Sequence, residues 1–168
     1  HVRETNVEDM AILPSYALFA VGTSMSVTSF AYPTRLVFGL GSLESLPDVR
    51  ESMDLIRPVV VCDRELRGTS TLQRILHFTG PHLLFTPTEA HAREKDLLDA
   101  AELYVTESCY GIIAIGGTAA LALAKGIRLK VTHPLSLTDY DSEVGGEARI
   151  TRDLPPLIAI PTLPGSSI

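Results

Sequence analysis

The stretch "GIIAIGGTAALALAKGI", residues 111–127, passes from a short apolar run through paired glycines into an alanine-rich segment carrying one lysine. The apolar run reads as a buried strand over 111–116 and the alanine-rich segment as a helix over 119–130. A backbone turn that approaches a pyrophosphate needs glycine, and the helix N-terminus behind it offers unpaired N–H groups and the positive end of a dipole to an anion. A turn that only packs strand against helix needs glycine too. The stretch alone leaves both readings open.

Working outward, the chain repeats this alternation. "PVVVCD" (58–63) is an apolar strand of the buried parallel type ending in an acid, "HLLFT" (82–86) a second strand and "PLIAIP" (156–161) a last one, while "TRLVFG" (34–39) reads as an earlier strand closed by Gly39 and Gly41. Between them, "SLESLPDVRES" reads as a short helix, and "RGTSTLQRILHFTG" has helical spacing through Leu72, Ile75 and Leu76 up to a Gly80 stop. Thr86-Pro87-Thr88-Glu89 has the make-up of a capping box, which predicts a helix from Thr86 to about Glu107 with Leu97, Leu98, Ala101 and Val105 on one face. Strand-helix alternation implies an α/β domain, a parallel sheet with helices on both faces.

Ligands of such sheets sit outside the carboxyl ends of the strands. Four places qualify: Asp63, Thr86 to Thr88, Gly116 to Ala119, and Thr162 to Ser166. Asp63 stands where a dinucleotide-binding protein keeps an acid for the adenosine ribose, or else caps the turn that follows it. The full G-x-G-x-x-G fingerprint is absent.

Bulk properties narrow the partners. The 168 residues are 45% hydrophobic and 20% charged, enough for one buried core, and the net charge of −6 offers no basic surface to nucleic acid. The two cysteines, Cys62 and Cys109, lie far apart in apolar runs, as buried reduced thiols of a cytoplasmic protein would. Residues 10–31 are apolar, but Pro14, Gly22 and many Ser and Thr interrupt them and the preceding segment is acidic, so neither a signal peptide nor a membrane span is expected. Met25 resembles a natural start. Residues 1–24 are therefore read as an upstream or disordered extension and 25–168 as the folded domain.

In order along residues 31–167, "YPTRLVFGLGSLESLP", "VVVCDRELRG", "CYGIIAIGGTAALALAKGI", "THPLSLTDY" and "ITRDLPPLIAIPTLPGSS" resemble the N-terminal domain of iron-containing alcohol dehydrogenases. The resemblance implies a Rossmann-like NAD(P)-binding domain, followed in the full enzyme by a helical domain whose aspartate and histidines hold iron or another divalent metal. No counterpart of that second half is recognised here, and His77, His82, His91 and His133 match none of the metal ligands; they are read as surface or packing residues. Without the helical half, the sheet edge is expected to expose apolar surface that favours association.

Carried over position by position, the resemblance places Asp63 at the adenosine ribose, favouring NAD over NADP. It puts Gly116, Gly117 and Thr118 at the pyrophosphate turn, and Thr162, Leu163 and Ser166 along the dinucleotide. Lys125 matches the lysine that closes the family's G-G-G-S-x-x-D-x-A-K pattern. The implied activity is hydride transfer between a small alcohol or aldehyde and the nicotinamide, and a homo-oligomer is left open. Three departures stand in the same pattern: Thr118 replaces glycine, Ala119 serine and Ala122 aspartate. A divergent non-catalytic remnant, serving as a binding or oligomerisation module, and a zinc-using polyol dehydrogenase relative remain the alternatives.

Overall fold

The computed structural model describes residues 34–89 and 91–162. The chain divides into two units, residues 1–40 and 41–168. Residues 1–24, read from the sequence as an extension, and Leu163 and Ser166 lie outside the described residues. In the first unit, 35–38 carry no strand. The strand expected at "TRLVFG" is corrected accordingly: a β-strand exists only through its hydrogen-bonded neighbour, and the described part of this unit contains none.

The second unit is built as the alternation predicted. In chain order come α1 (Leu46–Ser52), β1 (Val59–Cys62), α2 (Ser70–Thr79), β2 (Leu83–Phe85), α3 (Glu94–Thr106), β3 (Ile112–Gly116), α4 (Thr118–Lys130) and β4 (Leu157–Pro161). All four strands are parallel, in the order β2-β1-β3-β4. This is an α/β, Rossmann-like sheet flanked by helices.

β1 and β3 are buried throughout because both faces of the sheet are covered. Their side chains alternate between two cores. Val59, Val61, Ile112 and Ala114 pack with α3 and α4 through Leu97, Ala100, Leu121 and Ala124, whereas Val60, Cys62, Ile113 and Ile115 pack with α1 and α2 through Leu46, Leu72 and Ile75. Each such aliphatic side chain contributes roughly 1.5–3 kcal/mol on burial. α2 ends as its sequence suggests, at Gly80 with φ 68°, and the Thr69 side chain caps its start by accepting from Leu72 N–H at 3.2 Å.

α3 departs from expectation twice. It begins at Glu94 rather than Thr86, with Arg93 at the N-cap and no side-chain cap bond. The capping-box residues are engaged elsewhere: Thr88 gives both its backbone N–H (3.1 Å) and its hydroxyl (3.0 Å) to Oδ1 of Asp96, which is 1% exposed. A buried carboxylate demands donors more strongly than an exposed helix end does, so the tertiary contact wins. The buried face is Leu97, Ala100, Ala101 and Tyr104, leaving Leu98 45% and Val105 65% exposed. Small Ala100 and Gly126 let α3 and α4 approach; a Cβ on Gly126 would meet the Leu97 side chain.

The long connection from α4 to β4 is folded around His133 and Tyr140. His133 is buried, its Nε2 accepts from the N–H groups of Thr151 (3.1 Å) and Arg152 (3.2 Å), and its ring meets Tyr140 edge-on. It is a packing histidine. Among the described residues no helix is long and apolar enough to cross a membrane.

Candidate functional site

β1 leads toward β2 on one side of the sheet and β3 toward β4 on the other, so the strand order reverses between β1 and β3. Ligands of open α/β sheets bind at that crevice. The residues found there are Asp63, directly after β1, and the Gly116-Gly117 turn, directly after β3. β4 ends beside them, and Thr162 N–H donates to the Gly116 carbonyl at 3.0 Å. Of the sequence-selected residues, Asp63, Gly116, Gly117, Thr118 and Thr162 therefore meet at one edge.

Asp63 does something neither of its sequence readings supposed. Its Oδ2 accepts from Gly117 N–H at 2.6 Å and its Oδ1 from Ala120 N–H at 3.2 Å. It makes no cap bond to the short 3-10 turn Arg64–Leu66 that follows it. The capping reading is thus corrected in its target: Asp63 caps α4, far along the chain, because a carboxylate at a helix N-terminus meets both orphan N–H groups and the positive dipole end. A carboxylate cap of this kind is worth about 2 kcal/mol in all. Gly116, at φ +147°, is required here, since a Cβ would lie 2.5 Å from Asp63 Cγ.

The carboxylate leaves part of the helix end open. The N–H groups of Thr118 and Ala119 have no partner among the described residues, being too early in α4 for an intrahelical acceptor. An open cavity of about 470 Å³ lies against this turn, lined by Asp63, Glu65, His91, Gly117, Thr118 and Ala122. Ala119 also lines it. All three departures from the family pattern, Thr118, Ala119 and Ala122, thus line the cavity.

Glu65, His91 and Ala92 line the cavity without having been assigned to it from the sequence. Glu65 was within reach, two positions beyond Asp63 on the loop the strand-end rule selects. His91, expected as a surface or packing residue, is exposed but stands on the cavity wall; its place depends on the Thr88–Asp96 contact that shapes residues 86–93. Cys62 lies just behind Asp63, 3.5 Å from the Thr86 hydroxyl. Burial pushes its thiol pKa up, outweighing the lowering by Thr86 and Arg67. It stays a neutral thiol at neutral pH, without the thiolate a nucleophile or metal ligand needs. Both cysteines are buried and free.

Residues 33–168 match the family model described as iron-containing alcohol dehydrogenase. The chain belongs to the iron-containing alcohol dehydrogenase family. Among relatives, it is 34% identical over 137 residues to a 4-hydroxybutyrate dehydrogenase of Cupriavidus necator, covering 80% of this chain and 36% of that protein. It therefore spans about a third of the length of that curated relative. Its fold is that of an NADH-dependent butanol dehydrogenase A of Thermotoga maritima (TM-score 0.70, 14% identity, covering 83% of this chain and 35% of that one). It is also that of a sulfoacetaldehyde reductase of Bifidobacterium kashiwanohense in complex with NAD+ (TM-score 0.65, 23% identity, covering 79% and 35%).

Iron-containing alcohol dehydrogenases take their name from a metal. Among the described residues no three His, Cys, Asp or Glu side chains come together as a metal would require. The donor set of the described residues does not fit a metal centre.

Proposed function

We propose that this chain is the NAD-binding domain of an oxidoreductase that interconverts a small alcohol and its aldehyde or ketone by hydride transfer. The observation that carries this reading is the cavity at the strand-order reversal, with the Thr118 and Ala119 N–H groups of α4 unpartnered beside it. Those two N–H groups suit a diphosphate oxygen, and the methyl-sized Ala119 and Ala122 leave room for it. Bound NAD would supply the hydride acceptor; the chain's own work is to hold and orient it. Gly116 and Gly117 keep the turn low, and Thr118 and Thr162 offer hydroxyls at the rim; the family resemblance adds Leu163 and Ser166, which lie outside the described residues. Asp63 secures the turn, and with Glu65 makes the cavity acidic at its β1 side, which disfavours the 2′-phosphate of NADP.

The names of the relatives support a small hydroxy compound as substrate, and the buried free thiols suit a cytoplasmic setting. Isothermal titration with NAD, with NADP as control, tests the reading. Saturable heat with NAD and weaker heat with NADP is the expected result; no heat with either from a sample folded by circular dichroism would overturn it.

A second reading, a non-catalytic remnant, is favoured by Thr118, Ala119 and Ala122, which place a Cβ where the family has glycine and remove a hydroxyl and a carboxylate from the cavity wall. Restoring Gly, Ser and Asp at these positions separates the two. A sharp rise in NAD affinity supports the cofactor domain, and no change supports the remnant.

A further inference from the structure

We infer that Thr88 is a positioning residue for the cavity, a strut that ties the segments after β1 and β2 to each other, and that the buried Asp96 serves to hold this strut rather than to stabilise the fold. This rests on the reading of the cavity as the dinucleotide site. Thr88 lies just after β2, and three of its groups are engaged by other elements. Its N–H and hydroxyl donate to Oδ1 of Asp96 in α3, at 3.1 and 3.0 Å, and its carbonyl accepts from Nη1 of Arg64, in the turn after β1, at 3.1 Å. Both segments so joined line the cavity: Glu65 stands beside Arg64 in the chain, and His91 and Ala92 follow Thr88.

Asp96 is a costly anchor for a loop. It is 1% exposed, its Oδ1 takes both Thr88 bonds, and its Oδ2 is buried with no partner among the described residues. A buried carboxylate oxygen without a donor is a penalty that an apolar pair at the same two positions avoids. Nor does the carboxylate serve its own helix, since no side chain caps α3 at Arg93. What it supplies is a fixed acceptor that Thr88, itself at the surface, meets twice. The carbonyl that Arg64 reaches is fixed with it. A cavity whose bordering segments are joined before the ligand arrives loses less freedom on binding. The orphaned oxygen is thus stability given up for affinity.

The test uses the 168-residue chain. It measures NAD affinity by titration calorimetry, the thermal midpoint by circular dichroism, and amide exchange at Leu66 and Arg67, whose N–H groups bond within the turn after β1. The double variant Thr88→Val, Asp96→Leu removes the hydroxyl, its acceptor and the orphaned oxygen together. It is expected to keep or raise the midpoint, to weaken NAD about tenfold, and to quicken exchange at Leu66 and Arg67. Thr88→Ser retains all three bonds and is expected to bind NAD as the wild type does. Arg64→Ala, at the exposed end of the strut, is expected to weaken NAD at an unchanged midpoint and to add nothing in the double-variant background, because both changes act through Thr88. The inference is overturned if the double variant lowers the midpoint or does not fold, if it keeps wild-type NAD affinity, or if the effect of Arg64→Ala adds to it in full. A folded wild-type chain that does not bind NAD overturns the cofactor reading itself, and this inference with it.

Discussion

α3 and α4 both begin at the carboxyl edge of the sheet, and each start is held by an aspartate, but from opposite directions. α4 follows β3 after one residue, and its N–H groups are capped from outside by Asp63 of another strand end. α3 begins eight residues after β2, with no side-chain cap, and its own buried Asp96 reaches back to hold Thr88 of the preceding loop. In the first case a carboxylate completes a helix; in the second a helix supplies a carboxylate to complete a loop. The difference places a fixed, glycine-built turn on one side of the cavity and a longer wall bearing His91 on the other.

The comparison breaks most severely at Gly116. Gly116→Ala combines a positive φ with a Cβ driven into the Asp63 carboxyl, and should cost about 3 kcal/mol in urea unfolding. Asp63→Ala keeps the turn but uncaps α4. A loss of about 2 kcal/mol is expected, with faster amide exchange confined to the first turn of that helix; exchange that quickens equally in α3 would mean the two starts are not separate.

On the α3 side, Thr88→Ala removes the hydroxyl bond to Asp96 and retains the backbone one. Destabilisation of about 1 kcal/mol and faster exchange in residues 86–93 are expected, with α4 unaffected. The smallest effect belongs to Arg93, whose ion pair with Glu89 is about half exposed at both ends. Arg93→Ala should change the unfolding midpoint by less than about 0.5 kcal/mol, and a larger loss would show that the surface pair, not Asp96, holds the loop.

Of the site, the strand-end rule located Asp63, Gly116, Gly117, Thr118 and Thr162, because strand termini are legible from apolar runs and turn residues. It could not say what Asp63 bonds to, since its partners lie 54 and 57 positions away. The same limit hid His91: nothing local distinguishes a cavity-wall histidine from a solvated one. The α3 face was misread for a related reason. Leu97, Leu98, Ala101 and Val105 satisfy helical spacing as well as Leu97, Ala100, Ala101 and Tyr104 do, and only the packing of α4, whose Gly126 lies against Leu97, turns the Ala100 and Tyr104 side inward.

The amino-acid sequence by itself determined the buried parallel strands, the helices at α2 and α4 and their turns. Each rests on interactions within a few residues: apolar continuity, glycine at a positive φ, a threonine cap. Only the tertiary structure decided where α3 starts, which of its faces is buried and which helix end the Asp63 carboxylate caps. A buried aspartate and an orphaned helix end choose their partners by distance in space, and their energies exceed the local preferences they override.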